Sequence, residues 1–223
     1  MKIPPWSYSA ISTFENCPKQ YYHRYILKQK EPDTVQTKHG TEVHKALEDR
    51  INGVRLPEAY LKYEPLCKSI DNASRGAIVK TEMPFALDDK FLPVDFFSPK
   101  VWGRGKADIV VQKAEVAWVG DWKTGKVREN KFQLQVFAAF VFKLMPHINK
   151  VHCNNIWLKE NKIGESYVYT RERGEDAIWS EILRKISRME LAAEKEAFDP
   201  KPSGLCGWCS VKTCPHNGDY NVH

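Results

Sequence analysis

Between Ile78 and Lys123 the chain leaves the helical period for three β-branched runs, so a sheet must form inside a sequence that is otherwise largely helical in pattern. The runs 78–87, 100–112 and 115–123 have strand length and are separated by turn-forming breaks. Ahead of them, residues 7–30 predict a helix capped by Ser9 or Ser12, with Phe14, Tyr21, Tyr25 and Ile26 on its apolar stripe. Pro18 should make that helix kink or start twice. Residues Lys38–Asn52 predict a helix opened by Gly40 and Thr41, and 57–73 predict another. Beyond the three runs, 131–145 is apolar almost throughout and predicts a buried helix that stops before Pro146. Residues 150–159 and 165–170 predict two further strands, and 173–197 an amphipathic helix seamed by Ile178, Ile182, Ile186, Met189 and Ala193. The order implies an α/β fold with a central sheet flanked by helices. With no internal repeat or low-complexity linker, one domain over 1–223 is expected, divided into a helical part (7–73), a core (76–170) and a C-terminal helix with its tail (172–216).

No apolar run reaches the roughly 18 residues of a membrane span, and MKIPPWSYSAISTF lacks a signal-peptide apolar region. A cytoplasmic protein without a membrane partner is expected. The net charge of +6 is a mild preference for anionic partners.

The chemistry concentrates in two adjacent predicted strands, VWGRGKADIVV and EVAWVGDWKTGK. Asp121 and Lys123 are two residues apart, so both project to one face of a strand. A tight turn at Lys113–Ala114 would pair the strands as a hairpin and bring Asp108 across from Asp121. Converging carboxylates repel one another unless a cation is shared, and oxygen donors suit Mg²⁺ or Mn²⁺. A lysine on the same face can orient a water or stabilise charge on a phosphate.

The tail GLCGWCSVKTCPHNG sets Cys206, Cys209 and Cys214 close together, as in a zinc site or an iron–sulfur cluster. A fourth ligand could be His216, for Zn²⁺, or Cys17 from the other end of the chain. Cys67 and Cys153 are isolated and read as buried thiols.

Taken in order, these motifs resemble the RecB-like branch of the PD-(D/E)XK nucleases, which includes the RecB and AddB nuclease domains and the CRISPR-associated RecB-like exonucleases. YSAISTFENCPKQYYHRYI looks like that group's opening helix, GTEVH carries its histidine, and GKAD and GDWKTGK carry its acids and lysine. KFQLQVF is similar to its Gln-x-x-x-Tyr helix, with Phe137 at the tyrosine position. The resemblance implies a restriction-endonuclease-like core with a central mixed sheet, its chain ends joined at a metal cluster. It implies His44, Asp108, Asp121 and the backbone carbonyl of Trp122 as ligands of Mg²⁺ or Mn²⁺, with Glu82 near the metals. Lys123 and Gln133 would complete the catalytic set with Asp108 and Asp121. It further implies a [4Fe–4S] cluster on Cys17, Cys206, Cys209 and Cys214, with Zn²⁺ as the alternative.

The function expected is metal-dependent hydrolysis of DNA, by a single-strand-preferring exonuclease serving recombination, repair or phage DNA processing. DNA contacts are expected from Lys19, Tyr22, Arg24, Arg104 and Lys126, as basic and aromatic residues. No P-loop is present, so strand opening would fall to a helicase or recombination partner. Two other classes fit less well: a non-catalytic DNA-binding or assembly module, and a zinc-tailed adaptor with an incidental D-x-K.

Overall fold

The computed structural model of the protein describes residues 1–128 and 130–218. Its helices are α1 (Tyr8–Asn16), α2 (Pro18–Tyr21), α3 (Val35–Ile51), α4 (Glu64–Ala73), α5 (Lys131–Leu144) and α6 (Arg171–Glu194). Its strands are β1 (Ile78–Leu87), β2 (Gly103–Lys113), β3 (Val116–Lys123), β4 (Lys150–Trp157), β5 (Lys162–Ile163) and β6 (Tyr167–Thr170). The helix does restart at Pro18, which takes the first position of α2, and a π-helical turn, Tyr22–Ile26, follows. The cap of α1 is Ser7, not Ser9 or Ser12: its hydroxyl accepts the N–H of Ala10. Helix α3 begins at Val35, ahead of the expected Gly40–Thr41 opening. The reason is a capping box in which Thr34 and Thr37 satisfy each other's backbone N–H groups.

The chain divides into two compact units, Met1–Pro32 with Ser180–His223 and Asp33–Trp179. The second holds the mixed sheet, ordered β1-β2-β3-β4-β5 with β6 also on β4. β1, β2 and β3 run antiparallel in turn, whereas β3 and β4 are parallel, joined through α5. The β2–β3 turn uses Ala114 and Glu115, one residue later than expected, with Ala114 in a left-handed conformation (φ 48°). α5 packs on β1 through Phe137 and Phe140 against Phe85. α3 and α4 place Val43, Leu47, Leu66 and Ile70 in one apolar cluster with Ile109, Val111, Trp122 and Ile156 of the sheet. Helices thus flank the sheet, as the alternation of apolar runs requires.

In the first unit, Tyr21 is fully buried, edge-on to Phe14 and stacked on Tyr25 and Phe198. No helix among the described residues is long and apolar enough to cross a membrane.

Candidate metal centre and thiol cluster

The antiparallel register of β2 and β3 pairs Ile109 with Gly120, which sets Asp108 opposite Asp121 at the end of the ladder. Asp108 is held from two sides. Its Oδ2 accepts the backbone N–H of Trp122 at 2.7 Å, and its Oδ1 lies 3.2 Å from His44 Nδ1 on α3. Glu82, from the middle of β1, completes a group with His44 and Asp108 whose ligand atoms all lie within 4.8 Å of one another. Its backbone is left-handed at φ 48°. For a non-glycine residue inside a strand this is strained, by about 1–3 kcal/mol, and such strain concentrates at functional sites. In this conformation its carboxylate is ion-paired with Lys106.

Asp121 is buried beside this group. Gln133, at the start of α5, donates through its amide to Asp121 Oδ1 at 3.0 Å and accepts from Lys123 Nζ at 2.7 Å. The ammonium of Lys123 is also ion-paired with Asp121 Oδ2, an oxygen that accepts no well-aligned hydrogen bond among the described residues. Burial pushes the Asp121 carboxyl up to about 6; Lys123 works against this and the charge of Asp108 adds to it. Burial pulls His44 down, but the hydrogen bond and charge of Asp108, with Asp121 and Glu82 behind it, outweigh that and raise it.

One imidazole nitrogen and three carboxylates, one of them with a buried, poorly satisfied oxygen, form a hard donor set. That set fits Mg²⁺ or Mn²⁺. The predicted His44, Glu82, Asp108, Asp121, Lys123 and Gln133 are therefore all brought together. At Trp122 it is the N–H that touches the group.

The predicted sulfur ligands also converge. Cys17, Cys206, Cys209 and Cys214 line one small cavity, with His216 on its wall. Cys17 sits between α1 and α2, and Cys206 in the 3-10 turn Gly204–Trp208. The N–H of Lys201 points at Cys17 Sγ and that of Ser203 at Cys206 Sγ, each at 3.4 Å. Such donors favour thiolates that ligate a metal. Burial first, and then the neighbouring Cys17, Cys206 and Cys214, raise the Cys209 thiol.

The predicted DNA contacts divide between the two units. In the first unit, Tyr22 packs on Phe198 (4.9 Å), Arg24 is paired with Glu31 (2.9 Å), and Lys19 lies half-buried in α2. In the second, Lys126 is exposed on the β3–α5 connection, and Arg104 lies over the ring of Phe96. The expectation passed over the 88–102 loop, whose aromatics have no period that separates a buried ring from an exposed one.

A family model for the PD-(D/E)XK nuclease superfamily matches residues 5–94 and 68–215, two overlapping stretches that together span nearly the whole chain. No curated protein matches it significantly. The fold is similar to the crystal structure of a protein from Eubacterium rectale to which exonuclease activity is ascribed. That match has a TM-score of 0.58 at 11% identity, covering 94% of this chain and 88% of that one. The alkaline exonuclease LHK-Exo of Laribacter hongkongensis, in its complex with dAMP, aligns at a TM-score of 0.48 and 12% identity, covering 86% of this chain and 89% of that one. With the matched residues embracing every side chain of the acidic centre and all four clustered cysteines, this chain belongs to the PD-(D/E)XK nuclease superfamily.

Proposed function

We propose that the protein is a Mg²⁺- or Mn²⁺-dependent DNA exonuclease that prefers single strands. The observation that carries this is the Gln133 clamp, which fixes Lys123 beside Asp121 while Asp108, His44 and Glu82 converge next to them. In this reading His44, Asp108, Asp121, Glu82 and the Trp122 carbonyl hold the metal. A bound divalent ion supplies a polarised phosphate and a water of lowered pKa. Asp108 is kept in position by the Trp122 N–H and by His44. Lys123, immobilised by Gln133, offers an ammonium to the anionic oxygens of the phosphate, a donor whose placement costs no reorganisation during reaction. Burial of Asp121 lowers the dielectric on its own side of the site, which strengthens the interactions among these charges.

The four cysteines hold a [4Fe–4S] cluster with a structural role, fastening residues 17 and 206–214 across a long stretch of sequence and so restricting the unfolded chain. The shared cavity and the N–H groups aimed at two of the sulfurs support a metal there. Zn²⁺, with His216 as the alternative ligand, is the competing content. A helicase or recombination partner would supply duplex opening.

The test is degradation of linear and circular single-stranded DNA, alongside duplex DNA and RNA, with Mn²⁺ or Mg²⁺ and with EDTA. Loss of linear single-stranded DNA alone, abolished by EDTA, is the expected result. Cutting of circles makes the protein an endonuclease. Binding without cutting by folded, metal-loaded protein makes it a non-catalytic module.

A further inference from the structure

The loop between β1 and β2, residues 88–102, carries a feature the metal centre does not use. Phe97 is 84% exposed, an unusual state for a phenylalanine, and the loop beneath it is tightly held. Asp88 Oδ1 accepts the N–H groups of Lys90 and Leu92, Asp95 Oδ1 accepts that of Phe97 at 2.9 Å, and Trp102 N–H donates to Leu87 O at 2.8 Å. Phe91 anchors the loop edge-on between Trp102 and Trp179. Phe97 is thus an apolar ring carried into water on an ordered backbone, with Phe96 edge-on to it at 5.2 Å.

A row of residues leads from that ring to the acidic centre. Arg104 lies over Phe96 at 5.4 Å and has no carboxylate partner among the described residues. Lys106 is two residues further along a regular stretch of β2, hence on the same face, and is ion-paired with Glu82 of the centre. From Arg104 to Asp108 is four strand residues, about 13 Å. Cations therefore run from the acidic centre to an exposed aromatic tip, the combination that binds unpaired nucleotides by phosphate contact and base stacking. A protein partner would be expected to meet a broader apolar patch without such a line of cations leading from a phosphate-cleaving centre.

We infer that Phe97, backed by Phe96, is a stacking platform for a base of single-stranded nucleic acid whose phosphates lie along Arg104 and Lys106 on the way to the acidic centre. This rests on the nuclease reading and adds to it the residue that selects single strands. A loop backbone already ordered before binding loses little freedom, so more of the stacking energy is retained as affinity.

The test is equilibrium binding of a fluorescently labelled single-stranded oligonucleotide, with Ca²⁺ in place of the catalytic metal, to wild type, Phe97→Ala, Phe97→Trp and Arg104→Ala. Phe97→Ala should weaken binding by about 5- to 150-fold, the range set by stacking of one base. Phe97→Trp should retain affinity, and oligonucleotide should quench its added fluorescence relative to wild type. Arg104→Ala should weaken binding and lower its salt dependence, and duplex binding should change little in any variant. Because Phe97 is exposed and packs on little, its loss should leave the fold and thermal midpoint intact. Unchanged affinity in Phe97→Ala, or quenching equally strong with blunt duplex, overturns the platform. Cleavage by the same wild-type preparation in Mn²⁺ separates this from a failure of the nuclease reading, which would show as folded, metal-loaded wild type that does not cut, whether or not it binds.

Discussion

Gln133 accepts a 2.7 Å hydrogen bond from the ammonium of Lys123 ten residues earlier, while its amide reaches Asp121 at 3.0 Å. One neutral side chain at the start of α5 therefore sets the spacing of the two charged groups of the D-x-K. Gln133→Leu should lower kcat by roughly 10- to 100-fold, the range seen when groups that orient metal-site residues are removed. The KM for DNA should stay nearly constant, because the interaction lost orients Lys123 rather than binding substrate. Steady-state kinetics resolve the two; a change confined to KM would place Gln133 in substrate binding instead.

His44 reaches Asp108 from a helix sixty-four residues earlier in the chain. His44→Ala should raise the Kd for Mn²⁺ by at least about 10-fold, read by calorimetry on protein without DNA. An unchanged affinity would reduce His44 to a hydrogen-bonding neighbour of Asp108.

The pH dependence follows from Asp121 and His44, both of which hold a proton more tightly in the folded protein. Metal binding must displace those protons. With Asp121 at about 6, Mn²⁺ affinity should fall as pH drops through that value, and proton release on binding should grow. For metal-free protein the sign is opposite to that of an ordinary aspartate. The native state binds the extra proton between 3.8 and about 6, so this group's contribution to stability falls as pH rises through that window. Melting of metal-free and metal-loaded protein across it should show the metal-induced stabilisation increasing with pH.

The acid–lysine pair was legible because the period of a strand is two: Asp121 and Lys123 had to share a face, and a hairpin had to bring Asp108 across. The turn came one residue late because Ala114 adopts a left-handed φ that no glycine or asparagine announced. The strained Glu82 was legible only as a residue type, since nothing in VKTEMPF signals a positive φ mid-strand. The start of α3 was missed because Gly40 read as a helix opener, whereas the Thr34–Thr37 box lets the helix run through it. Phe97 was invisible for a different reason. FLPVDFFSPK has no period, and exposure of one ring among three depends on which of them the tertiary structure anchors.

Gly120 is a packing requirement placed immediately before Asp121. A Cβ there would come within 2.7 Å of Ile156 and 2.8 Å of Ile109, on side chains buried in the core. Gly120→Ala should cost about 1–3 kcal/mol through overpacking, lowering the thermal midpoint by several degrees. A variant as stable as wild type would show that the surrounding side chains give way to the added methyl.

Cys206→Ser should abolish bound iron and acid-labile sulfide, bleach the visible absorbance of anaerobically purified protein, and lower its thermal stability. Zinc in stoichiometric amount with no iron in wild type would assign the site to Zn²⁺.

The central claim is that the acidic centre hydrolyses DNA. The most direct measurement is cleavage of end-labelled single-stranded DNA in Mn²⁺ by wild type and Asp121→Asn, purified together and compared by melting. The prediction is progressive loss of label from one end by wild type, and a rate lower by at least about 10²-fold in the folded variant. Equal rates in the two proteins, or no cleavage by folded and metal-loaded wild type, would contradict it.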